Sequence, residues 1–139
     1  MSNRFYELIL GPSMTYTCAC YPDPDASLEA AQENKYRLVF DKLGLEAGDR
    51  LLDVGCGWAG MVRYAAHRGV HVIGVTLSAE QVEWGRAAIE AEGLGVLAEV
   101  RLMDYRDVPE RDFDAISSIG ITEHIGRRNY GDYFSRLHG

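Results

Sequence analysis

Leu51-Leu52-Asp53-Val54, followed by Gly55-Cys56-Gly57-Trp58-Ala59-Gly60, is the stretch that most narrows the choice of fold. The first four residues, apolar but for one acid, read as a buried strand, and the residues beyond Gly60 read as a helix. Between them lies a turn that glycine fits best. Without Cβ, Gly55 and Gly57 can take positive φ and let a ligand approach the backbone closely. The helix beyond would aim N–H groups and a partial positive charge at that ligand. An open α/β sheet holds a nucleotide-like molecule in this way, at the carboxyl ends of its strands.

Gly55 to Gly60 satisfies the dinucleotide pattern G-x-G-x-x-G, yet two details weigh against NAD. Asp53 stands two residues before the first glycine, where its carboxylate would repel a pyrophosphate. The ribose-binding acid expected about 20 residues on is missing, and that region reads Gly74-Val75-Thr76-Leu77-Ser78. A carboxylate suits a ligand carrying an ammonium or sulfonium. S-adenosylmethionine has such a centre and no phosphate.

The rest of the chain reads as alternating strands and helices. Phe5 to Leu10 suggests a helix end stopped by Gly11-Pro12, and Pro22-Asp23-Pro24-Asp25 a turn cluster. Residues 1–26 are expected to form a cap or lid segment. Ser27 is placed as N-cap of a helix over 27–43, without a capping box, and Gly44 ends it. Helices are expected over 61–67 and, capped by Ser78, over 79–92. Strands are expected over 51–54, 70–75, 96–103 and 113–118, with a loop over 120–126 and a last helix over 129–138. This order predicts an α/β, Rossmann-like, doubly wound parallel sheet, its strand-end loops gathered on one edge. Asp53–Gly57, Thr76–Gln81, Asp104–Arg106 and Glu123 would then meet at one crevice.

Composition narrows the partners. One domain over residues 1–139 is what this length supports. Fourteen Lys and Arg against 21 Asp and Glu give a net charge of −7, which argues against a nucleic-acid binder. No apolar run is long enough to span a bilayer, and no signal peptide is visible. Three cysteines are too few for a disulfide framework and fit a reduced, cytoplasmic setting. Cys18 and Cys20 form a C-x-C pair, but no second pair stands at ligand spacing, so no metal site is assigned.

Taken together, these motifs resemble the cyclopropane fatty acid synthase and mycolic acid cyclopropane synthase family. The likeness is carried by Met14-Thr15-Tyr16-Thr17-Cys18-Ala19, by Gln32 and Lys35 ahead of Lys42-Leu43-Gly44-Leu45, and by Leu51 to Gly60. It continues through Gly74-Val75-Thr76-Leu77-Ser78 and Gln81, Asp104-Tyr105-Arg106-Asp107, Ser118-Ile119-Gly120 and Glu123-His124-Ile125-Gly126. The resemblance implies a class I methyltransferase fold, here cut after its fourth strand. It also implies transfer of the sulfonium methyl to a cis double bond of a lipid acyl chain, with a cyclopropane ring as product and bicarbonate as the base. By that likeness Tyr16 and Thr17 touch the cofactor, and Asp53, Gly55, Cys56 and Gly57 line its methionine part. Thr76 and Gln81 face the ribose, Gln81 replacing the missing acid. Tyr105 and Arg106 flank the adenine. Cys18, through its backbone, and Glu123 help hold bicarbonate, and His124 is left outside the site. The expected partner is an unsaturated phospholipid or mycolate-type chain, with peripheral membrane contact.

The chain departs from the family pattern at Ala59, where glycine is usual, and at Thr122, where a larger apolar residue is common. Relatives are longer at both ends, which makes this chain read as a fragment with an unpaired sheet edge. A small-molecule N- or O-methyltransferase, an NAD-dependent oxidoreductase and an inactive cofactor-binding remnant are the competing readings.

Overall fold

The computed structural model describes residues 3–138. Helix α1 (Asn3–Leu10) ends at Gly11, whose φ of +67° suits glycine. An irregular segment leads to α2 (Leu28–Leu43), where the Ser27 side chain accepts from the Ala30 N–H at 3.2 Å and Gly44 closes the helix in the left-handed region. Then β1 (Arg50–Val54), α3 (Gly60–Ala66), β2 (His71–Thr76), α4 (Ala79–Ala91), β3 (Ala98–Leu102) and β4 (Ala115–Ser117) alternate, with a 3-10 turn over Tyr105–Asp107 between the last two strands. α5 (Thr122–Ile125), a second 3-10 turn (Arg127–Asn129) and α6 (Tyr130–His138) complete the described chain.

The sheet is parallel, in the order β3-β2-β1-β4. Leu52 pairs with Ile73 on one side and Ile116 on the other, and Asp53 lies between Gly74 and Ser117. Alternate residues of β1 point to opposite faces. Leu51 packs with Val72, Val100, Val62 and Ala65 beneath α2, α3 and α4. Leu52 and Val54 pack with Val75, Val108 and Tyr133 beneath α6. Helices therefore cover both faces, as a parallel sheet requires, and the doubly wound expectation is met.

Three local expectations are corrected. The loop over 120–126 contains the short helix α5. The third strand begins only at Ala98, because the N–H groups of Leu97 and Ala98 both turn back to the Leu94 carbonyl at 2.9 Å, leaving Val96 exposed. The fourth strand is shorter than 113–118: Asp114 turns its side chain onto the Arg50 N–H at 2.8 Å, and the Phe113 ring lies beneath the Arg50 guanidinium. Among the described residues no helix is long and apolar enough to cross a membrane.

Candidate functional site

A hollow of about 210 Å³ opens at the carboxyl ends of β1 and β4. Its floor is the turn after β1. Gly55 and Gly57 take φ of +72° and +55°, and the N–H groups of Gly55 and Cys56 both bond the Val75 carbonyl, at 2.9 and 3.0 Å, which fixes the turn to β2. An ideal Cβ on Gly55 would stand 2.2 Å from Ile121 Cδ1, so the Ile121 side chain lies directly over this glycine. Ala59 adopts φ +62°, a conformation that costs a non-glycine residue about 1–2 kcal/mol. Its methyl group is wholly buried against the space left by Gly85 of α4. The alanine that looked like a mild change in sequence thus carries both a strain and a packing role.

Asp53 lines the hollow, is 3% exposed, and accepts from the Ser117 hydroxyl at 2.6 Å. Burial raises its pKa to about 6, with the Ser117 bond opposing the rise. The neighbouring acids are neutral at physiological pH. Burial lifts the Tyr36 phenol to about 12, and burial followed by the Asp53 charge pushes the Cys56 thiol well above its usual range. The hollow therefore holds one carboxylate, hydroxyl groups of Thr15, Thr17 and Tyr36, and apolar walls from Met14, Met61, Ile119 and Ile121. Such a lining suits a ligand with a cationic centre beside apolar surface.

The amino-terminal segment forms the wall facing β1. Tyr16 and Thr17 line the hollow, and the exposed Tyr16 ring stands edge-on to Tyr6 and Trp58 at 5.5 and 6.4 Å between centroids. The Tyr36 hydroxyl lies against Gly60, where an ideal Cβ would meet it at 2.0 Å, and it shares a 2.6 Å hydrogen bond with Thr15.

The structure brings most of the sequence-selected residues together. Tyr16, Thr17, Asp53, Gly55, Cys56, Gly57 and Gln81 all line the one hollow. Thr76 does not; it is 7% exposed and donates to Gln81 Oε1 at 2.6 Å while accepting from the Ser78 N–H at 3.3 Å. Thr76 thus orients Gln81 and leaves the Gln81 amide N–H₂ for a ligand. Thr76→Val is expected to weaken binding at the hollow about fivefold and to cost about 1 kcal/mol of stability, read by calorimetry and by melting. Unchanged affinity would separate Thr76 from Gln81.

Tyr105 and Arg106 lie outside the hollow. Tyr105 packs edge-on against Tyr133 at 5.2 Å, and Arg106 folds back onto Asp104 at 2.6 Å. Both border a separate depression with Leu52, Phe113 and Ile116 on the α6 face of the sheet. Asp104 caps its own 3-10 turn through the Arg106 N–H, which aims the pair away. Cys18 and Glu123 are exposed and also outside the lining, though Glu123 stands at the rim: a Cβ on Gly120 would touch Thr17 Cγ2 at 2.6 Å and Glu123 Oε1 at 3.5 Å. His124, excluded on sequence grounds, does line the hollow, as do Tyr36, Trp58, Ile119 and Ile121. Tyr36 carried a signal, four positions after Gln32 on the same helix. His124 carried only its place after a strand end. Among the described residues no cluster of His, Cys, Asp and Glu could hold a metal.

The family model described as "Mycolic acid cyclopropane synthetase" matches residues 1–139. A Mycobacterium tuberculosis protein named "Probable fatty acid methyltransferase" is 71% identical over 137 residues, covering 99% of this chain and 32% of that protein. The cyclopropane-fatty-acyl-phospholipid synthase of Escherichia coli K12 is 43% identical over 136 residues, covering 97% of this chain and 34% of the enzyme. The solved mycolic acid cyclopropane synthase CmaA1, complexed with SAH and CTAB, superposes with a TM-score of 0.88 at 39% identity, over 99% of this chain and 48% of that one. The chain spans about a third of the length of these curated relatives. Its fold is that of the class I methyltransferases, in part.

Proposed function

The chain belongs to the mycolic acid cyclopropane synthetase family, and from that premise we propose that its hollow binds S-adenosylmethionine for methyl transfer to a lipid. The observation that carries the reading is Asp53: a buried carboxylate, bonded only to Ser117 among the described residues and lining a hollow beside two positive-φ glycines. It suits the ammonium of the methionine part, and its charge favours a nearby sulfonium over a diphosphate. SAH in the CmaA1 relative supports the same assignment.

S-adenosylmethionine supplies an electrophilic methyl group. The chain's own residues bind and orient. Gly55 and Gly57 admit the ligand to the backbone, Asp53 holds the ammonium, and Gln81, steadied by Thr76, offers its amide to the ribose. Met14, Met61, Ile119 and Ile121 supply the apolar wall that a lipid chain and a reactive alkyl cation would lie against. Residues 3–26 serve as the cap of a single S-adenosylmethionine-binding domain; residues 1–2 of the expected cap lie outside the described residues. Tyr105 and Arg106 lie outside the hollow and reach the adenine only if the 3-10 turn that carries them reorients. Cys18 and Glu123 are exposed and do not by themselves enclose an anion, so no step is assigned to bicarbonate.

The acceptor is a cis double bond of an unsaturated phospholipid or mycolate-type chain and the product a cyclopropane ring, a reading supported by the names of the relatives. A lipid acceptor and three free cysteines favour work in a reduced, cytoplasmic setting with peripheral contact at the membrane surface. Titration of the 139-residue chain with S-adenosylhomocysteine and with NADH tests the cofactor; saturable NADH binding without S-adenosylhomocysteine binding would end this reading in favour of an oxidoreductase. Mass spectrometry of lipids from cells expressing the full-length gene tests the acceptor. A gain of 14 mass units per acyl chain with loss of the olefin is expected, whereas methylated polar metabolites alone would favour a small-molecule N- or O-methyltransferase.

A further inference from the structure

Helix α2 carries polar residues where a packing face should be apolar. Gln32 and Lys35 are 3% and 5% exposed, and with Tyr36 they fall on one side of the helix at i, i+3 and i+4. What they touch is the segment over 15–20. Lys35 Nζ donates to Thr17 Oγ1, to the Cys18 carbonyl at 3.1 Å and to Gln32 Oε1 at 2.7 Å. Gln32 Nε2 donates to the Thr17 carbonyl at 3.0 Å, and Asn34 Nδ2 to the Cys20 carbonyl at 2.7 Å. Among the described residues the backbone of 15–20 makes only one backbone–backbone hydrogen bond to another element, from the Cys20 N–H to the Ala31 carbonyl at 3.1 Å. Side chains of α2 therefore hold this segment in place.

We propose that Lys35 is a positioning residue: it fixes residues 15–18 over the hollow and turns the Thr17 hydroxyl into a hydrogen-bond donor for the carboxylate of an amino-acid ligand. The proposal rests on reading the hollow as an S-adenosyl site and assigns one of its walls. An ammonium has three N–H donors and no acceptor. All three are taken here, so Lys35 has none to offer a ligand and acts through Thr17. Because Thr17 Oγ1 accepts from Lys35, the hydroxyl's own hydrogen is free, and among the described residues it has no protein acceptor. Thr17 lines the hollow with Asp53. A zwitterionic amino-acid moiety would then give its ammonium to Asp53 and its carboxylate to Thr17.

The energetics point the same way. Lys35 is bonded to a hydroxyl, a carbonyl and an amide oxygen, with no carboxylate among them. Burying an ammonium without a counter-charge is costly, and burial lowers its pKa against the smaller raising effects of Cys18 and Cys20. An apolar residue would fill the same volume without that cost. The charge is explained by what it orders.

Calorimetry with two ligands tests this: S-adenosylhomocysteine, which carries the amino-acid part, and 5′-methylthioadenosine, which lacks it. In Lys35→Met, S-adenosylhomocysteine affinity is expected to fall about tenfold or more, with methylthioadenosine affinity unchanged. Thr17→Val, which leaves the other two Lys35 bonds intact, should show the same selectivity and keeps the test decisive if Lys35→Met does not fold. A loss shared equally by both ligands, or no loss, in the folded variant would overturn the positioning role. Failure of the unsubstituted chain to bind S-adenosylhomocysteine would instead remove the S-adenosyl reading, and this assignment with it.

Discussion

Asp53→Asn is expected to weaken S-adenosylhomocysteine binding about a hundredfold while raising the melting midpoint of the ligand-free protein at pH 7. The two effects share one cause. The Asp53 carboxyl is buried, and its pKa rises from 3.8 to about 6 on folding. The folded protein therefore binds more protons than the unfolded chain between those values, and stability falls as pH rises through that window. About two pKa units correspond to about 3 kcal/mol of destabilisation at neutral pH. Asparagine keeps an acceptor for Ser117 and carries no charge. Its amide hydrogens must be buried in turn, so a gain of about 1–2 kcal/mol is expected, several degrees in melting temperature.

For the ligand the sign reverses. Removing one partner of a buried ion pair costs about 3 kcal/mol, near a hundredfold in affinity. Binding should also rise with pH up to about 6, the value at which Asp53 ionises, and then level off. In Asp53→Asn that dependence should vanish. A variant that is less stable when empty yet binds as tightly would place the cation elsewhere.

Gly55→Val should be the most damaging single change in the turn, and Gly57→Ala a far milder one. Both glycines have positive φ, so any side chain at either position is strained by about 1–2 kcal/mol. Their surroundings differ. The Gly55 Cβ direction runs into Ile121 at 2.2 Å, and the Gly57 Cβ direction meets nothing within 4 Å. A branched side chain at 55 adds overpacking of about 1–3 kcal/mol to the strain and drives Ile121 into the hollow. Loss of about 4 kcal/mol by denaturant unfolding and no measurable S-adenosylhomocysteine binding are expected. Gly57→Ala should lose about 1–2 kcal/mol and retain binding. Equal losses at the two positions would mean that Ile121 does not rest on Gly55.

Local signals were legible. Ser27 and Ser78 act as the N-caps their position suggested, and Gly44 closes α2. The strand–turn–helix around Asp53 formed as its residues required, because a buried strand, two positive-φ glycines and a following helix are neighbours in the chain. Other features carried no local signal. The Val96 to Met103 run, with apolar residues at both ends, reads as one long strand, and the Leu94 carbonyl, by capturing two N–H groups, delays its start to Ala98. The loop after β4 was recognised as part of the site through Glu123, yet Ile121 and His124 line the hollow while Glu123 stays at its rim.

The sequence alone determined the alternation of strands and helices, the glycine turn, and the acid at the tip of β1, since each depends on conformational preferences within a few residues. It also placed a carboxylate two residues before a glycine pattern shared with dinucleotide sites, and that carboxylate lines the hollow. Tertiary structure decided the rest. Ser117 meets Asp53 across 64 residues, Thr17 meets Lys35 across 18, and Ile121 covers Gly55, because strand order and helix packing set those distances. The same packing turned Tyr105 and Arg106 toward α6. Chain spacing fixes which way a residue leans from its own backbone; which side chain stands opposite is fixed only when the elements close on one another and burial selects one arrangement.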